Sequence, residues 1–170
     1  LFSIDEIKEI NKQAEKFMFD AEQPGQAGEG KTSRVGIINW LPMAELLHPF
    51  ISFIQESNKQ FFGFDIYFYL NNETLNYNIY EENQAYDWHL DAADPGCRSD
   101  MKLTCVLNVS EEPYEGGELL IKGEKNETME GWNEPGAAVI FHPTRLHKVN
   151  PITKGKRITI SYWAFGPAWR

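Results

Sequence analysis

The stretch LHKVNPITKGKRITISYWAF, Leu146 to Phe165, holds the pattern that decides the fold. Its second half alternates. Arg157, Thr159, Ser161 and Trp163 fall on one side of an extended chain, and Ile158, Ile160 and Tyr162 on the other, because successive strand side chains point to opposite faces. NPITKGK reads as a turn, and the segment before it sets His147 and Val149 on a common strand face. A basic residue followed by two small hydroxyl side chains is an odd lining for a core. It suits a face that lines a pocket for an acidic molecule, since the planar guanidinium matches a carboxylate.

The same period of two recurs upstream. FDIYFYL, LNYNIY, AYDWHLD, KLTCVLNVS, ELLIK, AAVIF and LHKV read as strands, separated by NNET, EENQ, DPG, Gly116–Gly117, EPG and TKGK. Before them the period is helical. Ser3 and Glu6 form a capping-box pattern, and Ile4, Ile7, Ile10, Ala14 and Phe17 predict a helix from about residue 4 to 18. Glu22 to Arg34 is rich in glycine and polar residues, so it reads as a mobile loop that could close over a substrate, as could Asp94 to Asp100. Within the first loop, GQAGEGKT (Gly25 to Thr32) fits a phosphate-binding P-loop literally. A helix rather than a buried strand precedes it and no clear helix follows, so the match reads as chance. Gly36 to Trp40 reads as a short strand, Pro42 can open a helix, and Pro49 can restart one running to about Gln60. Two helices followed by short strands predict a mainly β (α+β) domain, a barrel or sandwich with helices packed on one sheet. The expected organisation is one domain over residues 1–170, helical to about 62, with a core at about 63–167.

Composition narrows the function classes. A chain of 170 residues with 42% apolar content can bury a core of its own. A net charge of −9 argues against a nucleic-acid partner. The two cysteines, Cys97 and Cys105, are too few for a disulfide scaffold and fit small buried thiols in a reducing cytoplasm. No apolar run reaches the length of a membrane span. The chain opens on Leu1 rather than Met, which reads as a trimmed start, so the lack of a leader carries little weight.

The chemistry gathers around YDWHLD, Tyr86 to Asp91. Strict alternation places Asp87, His89 and Asp91 on one face and Tyr86, Trp88 and Leu90 on the other. An imidazole beside a carboxylate inside a barrel is costly unless something binds them. The chain has four histidines. His48 reads as a helix-end residue and His142 as a turn residue; His147 is the better third partner because the strand after it presents Arg157, Thr159 and Ser161 on one face. Two histidines and one carboxylate on one side of a metal, with open positions opposite, suit non-haem Fe(II) and O2 chemistry.

Taken in order, IYEENQAYDWHLD, RSDMKLTCVLNVSEEPYEGGELLI and EPGAAVIFHPTRLHKVNPITKGKRITISYW resemble Fe(II)- and 2-oxoglutarate-dependent dioxygenases of the prolyl 4-hydroxylase-like, PKHD-type branch. The resemblance implies a double-stranded β-helix, or jelly roll. It implies His89, Asp91 and His147 as iron ligands and Arg157 as partner of the distal carboxylate of 2-oxoglutarate. It also implies Tyr80 reaching into the pocket, Leu119 and Val149 as apolar walls of the cosubstrate site, and Trp163 bordering the substrate. Some relatives carry a tyrosine donor where this chain has Val106, and Thr104 on the same strand face is the expected substitute. Asp91 argues against the halogenating relatives, which lack that carboxylate. The implied cosubstrates are 2-oxoglutarate and O2, with room for ascorbate as an auxiliary reductant. The implied partner is a prolyl residue in a peptide or protein. A free amino acid or other small molecule, or a barrel that binds without turnover, are the alternatives, and the oligomeric state is left open.

Overall fold

Helix α1, Ile4–Phe17, is where the helical period leads. Its start is a full capping box: the Ser3 backbone N–H donates to Glu6 Oε2 at 2.8 Å and the Glu6 N–H to Ser3 Oγ at 3.4 Å, which satisfies two otherwise orphaned donors. Ile7, Ile10 and Ala14 are buried, while Ile4 in the first turn is exposed. Asn11 shares the buried face because it is fully used. Its amide donates to Val109 O and Glu111 Oε1, and its oxygen accepts from the Tyr77 hydroxyl. A 3-10 turn follows at Leu41–Met43, and α2 runs His48–Ser57 with Pro49 in its first turn. A π turn, Asn58–Phe62, ends at Gly63.

These elements come from a computed structural model that describes residues 1–23, 30–67, 74–92, 100–123, 133–168 and the backbone of 126–128. The strands are β1 (Met18–Glu22), β2 (Arg34–Asn39), β3 (Thr74–Tyr80), β4 (Tyr86–His89), β5 (Met101–Asn108) and β6 (Glu115–Gly116). They continue with β7 (Leu119–Lys122), β8 (Asn126–Thr128), β9 (Ala138–Phe141), β10 (His147–Val149), β11 (Ile152–Lys154) and β12 (Arg157–Phe165). One sheet has the order β1-β2-β3-β12-β5-β9, a second β4-β10-β7-β8, and a short ribbon joins β11 to β6. Every strand pair is antiparallel.

Period-two alternation divides the larger sheet between two cores. Leu75, Tyr77, Leu103, Cys105, Leu107, Ile158, Ile160 and Tyr162 pack under the helices with Ile7, Ile10, Phe50 and Ile54. Their neighbours Tyr80, Val106, Val139 and Phe141 point the other way and meet Leu119, Ile121 and Val149 of the second sheet. The fold is thus a two-sheet sandwich with helices on one outer face, as the chain's order of periods implies. Cys105 lies in the helix-side core, where burial pushes its thiol far up. Cys97 lies outside the described residues. Among the described residues no helix is long and apolar enough to cross a membrane.

Several local expectations are corrected. Met18–Glu22, which reaches only into the first residue of the expected loop, is an edge strand on β2, whose Gly36–Asn39 part was expected. Ile152–Lys154, inside the expected turn NPITKGK, pairs with Glu115–Gly116. In FDIYFYL, Phe64 to Ile66 form no strand and Tyr67 makes only an isolated bridge to Phe165; residues 68–70 lie outside the described residues. So do 93–99, where the expected Asp94–Asp100 loop falls, and 24–29 of the glycine-rich stretch. The rest of that stretch is not loose. Lys31 and Ser33 are buried, and a strand rather than a helix follows Thr32, which removes the context a P-loop needs.

Candidate active site

The site is built where β4 and β10 pair. His89 lies opposite His147, and Tyr86 opposite Val149. Two steps on β10 therefore span three on β4, and this register shift breaks the alternation expected of YDWHLD. Tyr86, expected to face away, turns to the same side as His89 and stacks on its ring, with centroids 3.5 Å apart. Asp87, expected beside the pair, is exposed. A register shift of this kind re-aims side chains next to a site.

His89, Asp91 and His147 converge, their ligand atoms all within 4.8 Å of one another. Each imidazole is oriented in the same way. His89 Nδ1 lies 2.7 Å from the Asp87 carbonyl and His147 Nδ1 2.8 Å from the Arg145 carbonyl. A carbonyl only accepts, so each Nδ1 carries the proton and each Nε2 presents a lone pair. Those Nε2 atoms stand 3.7 and 3.6 Å from the two Asp91 oxygens, too far for good hydrogen bonds and suited to a cation between them. Burial, His147 and Lys31 drive His89 down to about 4 against the pull of Asp91, so it is neutral, as a metal ligand must be, at physiological pH. Asp91 is held in turn by Thr104, whose hydroxyl donates to Oδ2 at 2.6 Å. The Thr104 hydroxyl is thereby directed at the Asp91 carboxylate, on the same cavity.

Besides Tyr80, a second phenol, Tyr114, stands near Arg157. Arg157 is 2% exposed, with its guanidinium carbon 5.1 Å from the Tyr80 ring centroid. Burial raises the Tyr80 and Tyr114 phenols above their ordinary range, against the pull of the nearby Arg157 charge. Asn108 Nδ2 donates to the Tyr114 hydroxyl at 3.0 Å. Sequence reasoning missed Tyr114, although it stands just ahead of Gly116–Gly117. Gly117 has φ +69°, and a Cβ there would drive into Ile152 Cδ1 and stand 3.0 Å from Arg157 Cδ. The glycine lets the backbone close against Arg157 and Tyr114.

One half-open cavity joins these groups. Its lining includes His89, Asp91, His147, Tyr80, Arg157, Leu119, Val149, Thr104, Trp163 and, unexpectedly, Lys31. Every candidate site residue read from the sequence thus lies on one cavity. His142 is not among them; its Nδ1 meets Thr144 Oγ1, as a turn histidine's would. His48 sits exposed at the start of α2.

A family model described as the 2OG-Fe(II) oxygenase superfamily matches residues 75–165. The chain belongs to that superfamily. Among curated relatives, a PKHD-type hydroxylase of Alteromonas mediterranea is 39% identical over 97 residues, covering 51% of this chain and 41% of the relative. The chain therefore spans about two fifths of the length of the curated relatives it matches. Two solved structures share the fold. A Pseudomonas putida prolyl-4-hydroxylase has a TM-score of 0.71 at 14% identity, over 98% of this chain and 89% of that one. A viral collagen prolyl hydroxylase from Paramecium Bursaria Chlorella virus-1, in complex with 2OG, has a TM-score of 0.69 at 17% identity, over 98% and 92%. The jelly-roll core expected from the sequence is the fold observed. Fe(II) and 2-oxoglutarate are the superfamily's metal and cosubstrate, and the site fits both. It has two imidazoles and a carboxylate for the metal, and a cavity lined by Leu119, Val149 and the buried Arg157 guanidinium for a dicarboxylate.

Proposed function

We propose that this chain is the catalytic domain of an Fe(II)- and 2-oxoglutarate-dependent hydroxylase acting on a prolyl residue of a peptide or protein. The observation that carries the reading is the convergence of His89, Asp91 and His147 on a cavity that also holds buried Arg157. In this reading His89, Asp91 and His147 hold the iron. Arg157, supported by Tyr80 and Tyr114, holds the distal carboxylate of 2-oxoglutarate, with Leu119 and Val149 as apolar walls. Thr104 fixes the ligating oxygen of Asp91 by holding its partner. Trp163 borders the substrate. The metal and oxo acid together supply O2 activation coupled to oxidative decarboxylation, so that substrate, O2 and 2-oxoglutarate give hydroxylated substrate, CO2 and succinate. The protein's share is orientation and exclusion of water: Tyr86 covers His89, and Phe141 packs edge-on against the His147 ring at 4.7 Å.

The prolyl assignment draws support from the PKHD-type relatives and from the two prolyl hydroxylases that share the fold. The test is succinate release from the Fe(II)-loaded protein with proline-containing peptides, against the same peptides carrying alanine. Peptide-dependent succinate with a hydroxylated proline in the product is expected. Succinate release with no proline-dependent product would remove the prolyl assignment and leave the oxygenase chemistry. The absence of any 2-oxoglutarate turnover would favour a barrel that binds without catalysis.

A further inference from the structure

The glycine-rich stretch that mimics a P-loop ends in Gly30-Lys31-Thr32, and this tripeptide is built into the site. It runs along the edge of β4. Asp87 N donates to Gly30 O, Thr32 N to Ala85 O, and Ala85 N to Thr32 Oγ1, all within 3.0 Å. Gly30 has φ +74° and would place a Cβ 3.0 Å from Asp87 Cβ, so the segment lies tight against the strand. The result is that Lys31, 8% exposed, projects into the cavity. Its Nζ donates to Asn78 Oδ1 at 2.8 Å and sits 4.9 Å from the centre of the Tyr86 ring, the ring that stacks on His89. Among the described residues no carboxylate lies within 4.0 Å of it.

Asp91 and Glu22 act on Lys31 only from beyond ion-pair distance, and a buried ammonium held directly by one neutral amide and one ring is costly unless an anion joins it. Arg157 already answers the distal carboxylate of 2-oxoglutarate, and Lys31 stands elsewhere. Register places Arg157 opposite Tyr80 and Thr159 opposite Asn78, the Lys31 partner. Lys31 is therefore anchored one two-residue step, roughly 7 Å, along the strands from the Arg157 row, towards Ser161 and Trp163. Asn78 is fixed there by Ser161 Oγ at 3.0 Å. Charge points the same way. Among the described residues, the charged groups lining the cavity are Lys31, Arg157 and Asp91. With Fe(II) and doubly negative 2-oxoglutarate added, these groups leave one positive charge over.

We propose that Lys31 is a specificity-determining residue that receives a carboxylate carried by the very unit that is hydroxylated. This rests on the oxygenase chemistry read above and, in place of an internal prolyl residue, points to a free amino acid or the C-terminal residue of a peptide. Burial draws Lys31 down to about 8, so it remains protonated at neutral pH and able to pair with that anion.

The test uses anaerobic protein loaded with Fe(II) and 2-oxoglutarate, where no turnover occurs. Changes in the visible band of the chelate are titrated with L-proline against L-prolinamide, and with N-acetylglycyl-L-proline against its C-terminal amide. In the wild type the acid of at least one pair binds about tenfold or more tighter than its amide, as a charge-assisted pair requires. Which pair responds separates the free amino acid from the peptide C-terminus. In Lys31→Met, and in Lys31→Gln, which keeps a donor for Asn78, the preference falls to within about threefold while the affinity for 2-oxoglutarate holds. Equal binding of acid and amide, silence from both acids, or a preference that survives both variants would overturn the inference. Loss of 2-oxoglutarate affinity in Lys31→Met would also overturn it, by assigning Lys31 to the oxo acid. A normal wild-type band with no acid preference defeats this inference alone; a missing band defeats it together with the oxygenase reading.

Discussion

Thr104→Val isolates one hydrogen bond at the centre of the site. The change is nearly isosteric and replaces a hydroxyl that donates to Asp91 Oδ2 at 2.6 Å. Thr104 is 2% exposed and the Asp91 side chain 9%, so water is poorly placed to take over. Without the donor, Asp91 is less well aimed between His89 and His147, whose Nε2 atoms stand 3.7 and 3.6 Å from its oxygens. A hydrogen bond to a charged group is worth about 1.5–3 kcal/mol, and removing the partners that orient metal ligands typically weakens metal binding roughly 10- to 100-fold. Anaerobic calorimetric titration of the metal-free protein with Co(II) or Fe(II) reads this directly. Thr104→Ser, which keeps the hydroxyl, should stay within about threefold of wild type. The thermal midpoint of Thr104→Val should fall by roughly 3–10 °C, since a buried carboxylate loses its donor, while Thr104→Ser holds it. Wild-type metal affinity in Thr104→Val would refute the reasoning and leave Thr104 as ordinary lining.

Gly117→Ala should destabilise the protein by about 2–4 kcal/mol, from a side chain forced to positive φ and from overpacking on Ile152. It should also weaken 2-oxoglutarate binding by displacing Arg157; denaturant melts and titration of the oxo acid check the two effects separately. His147→Ala should abolish 2-oxoglutarate turnover while the far-ultraviolet spectrum and thermal midpoint show the barrel still folded. Full activity would mean that the third ligand lies elsewhere. The metal-free protein should lose stability as pH falls. His89 titrates near 6.5 when unfolded and near 4 when folded, so between those values the unfolded chain takes up the proton that the native state refuses. The stabilisation is complete above about pH 6.5, declines towards pH 4 and amounts to at most about 3 kcal/mol. Urea melts across that range should show the slope, and an equal slope in His89→Asn would assign it to another group.

The parts of this molecule legible in the sequence are those written in local period. The alternation of Arg157, Thr159, Ser161 and Trp163 against Ile158, Ile160 and Tyr162 divides pocket from helix-side core as expected. The Ser3–Glu6 box starts the first helix where its pattern says. His89, Asp91 and His147 meet because β4 and β10 are neighbours, which the ordered motifs implied. What escaped depends on pairing between distant segments. The orientation of Tyr86 follows from a register shift against β10, and no alternation rule within YDWHLD contains it. Ile152–Lys154 gains its strand character only from Glu115–Gly116 across the ribbon. Lys31 belongs to a stretch whose composition signals a loop, and its burial comes from β4, 55 positions further on at Tyr86. Thr104 reaches Asp91 from a distant strand and Tyr114 stands near Arg157 from just ahead of β6, so neither placement has a signature in spacing.

The central claim is that His89, Asp91 and His147 hold Fe(II) while Arg157 anchors 2-oxoglutarate on it. The most direct measurement is the visible charge-transfer band of the Fe(II)–2-oxoglutarate chelate, recorded anaerobically for the wild type, Asp91→Ala and Arg157→Ala. The account predicts a band in the wild type, its loss in Asp91→Ala, and a shift to much higher 2-oxoglutarate concentration in Arg157→Ala. A folded wild type with no band, or a band unchanged in both variants, would contradict it.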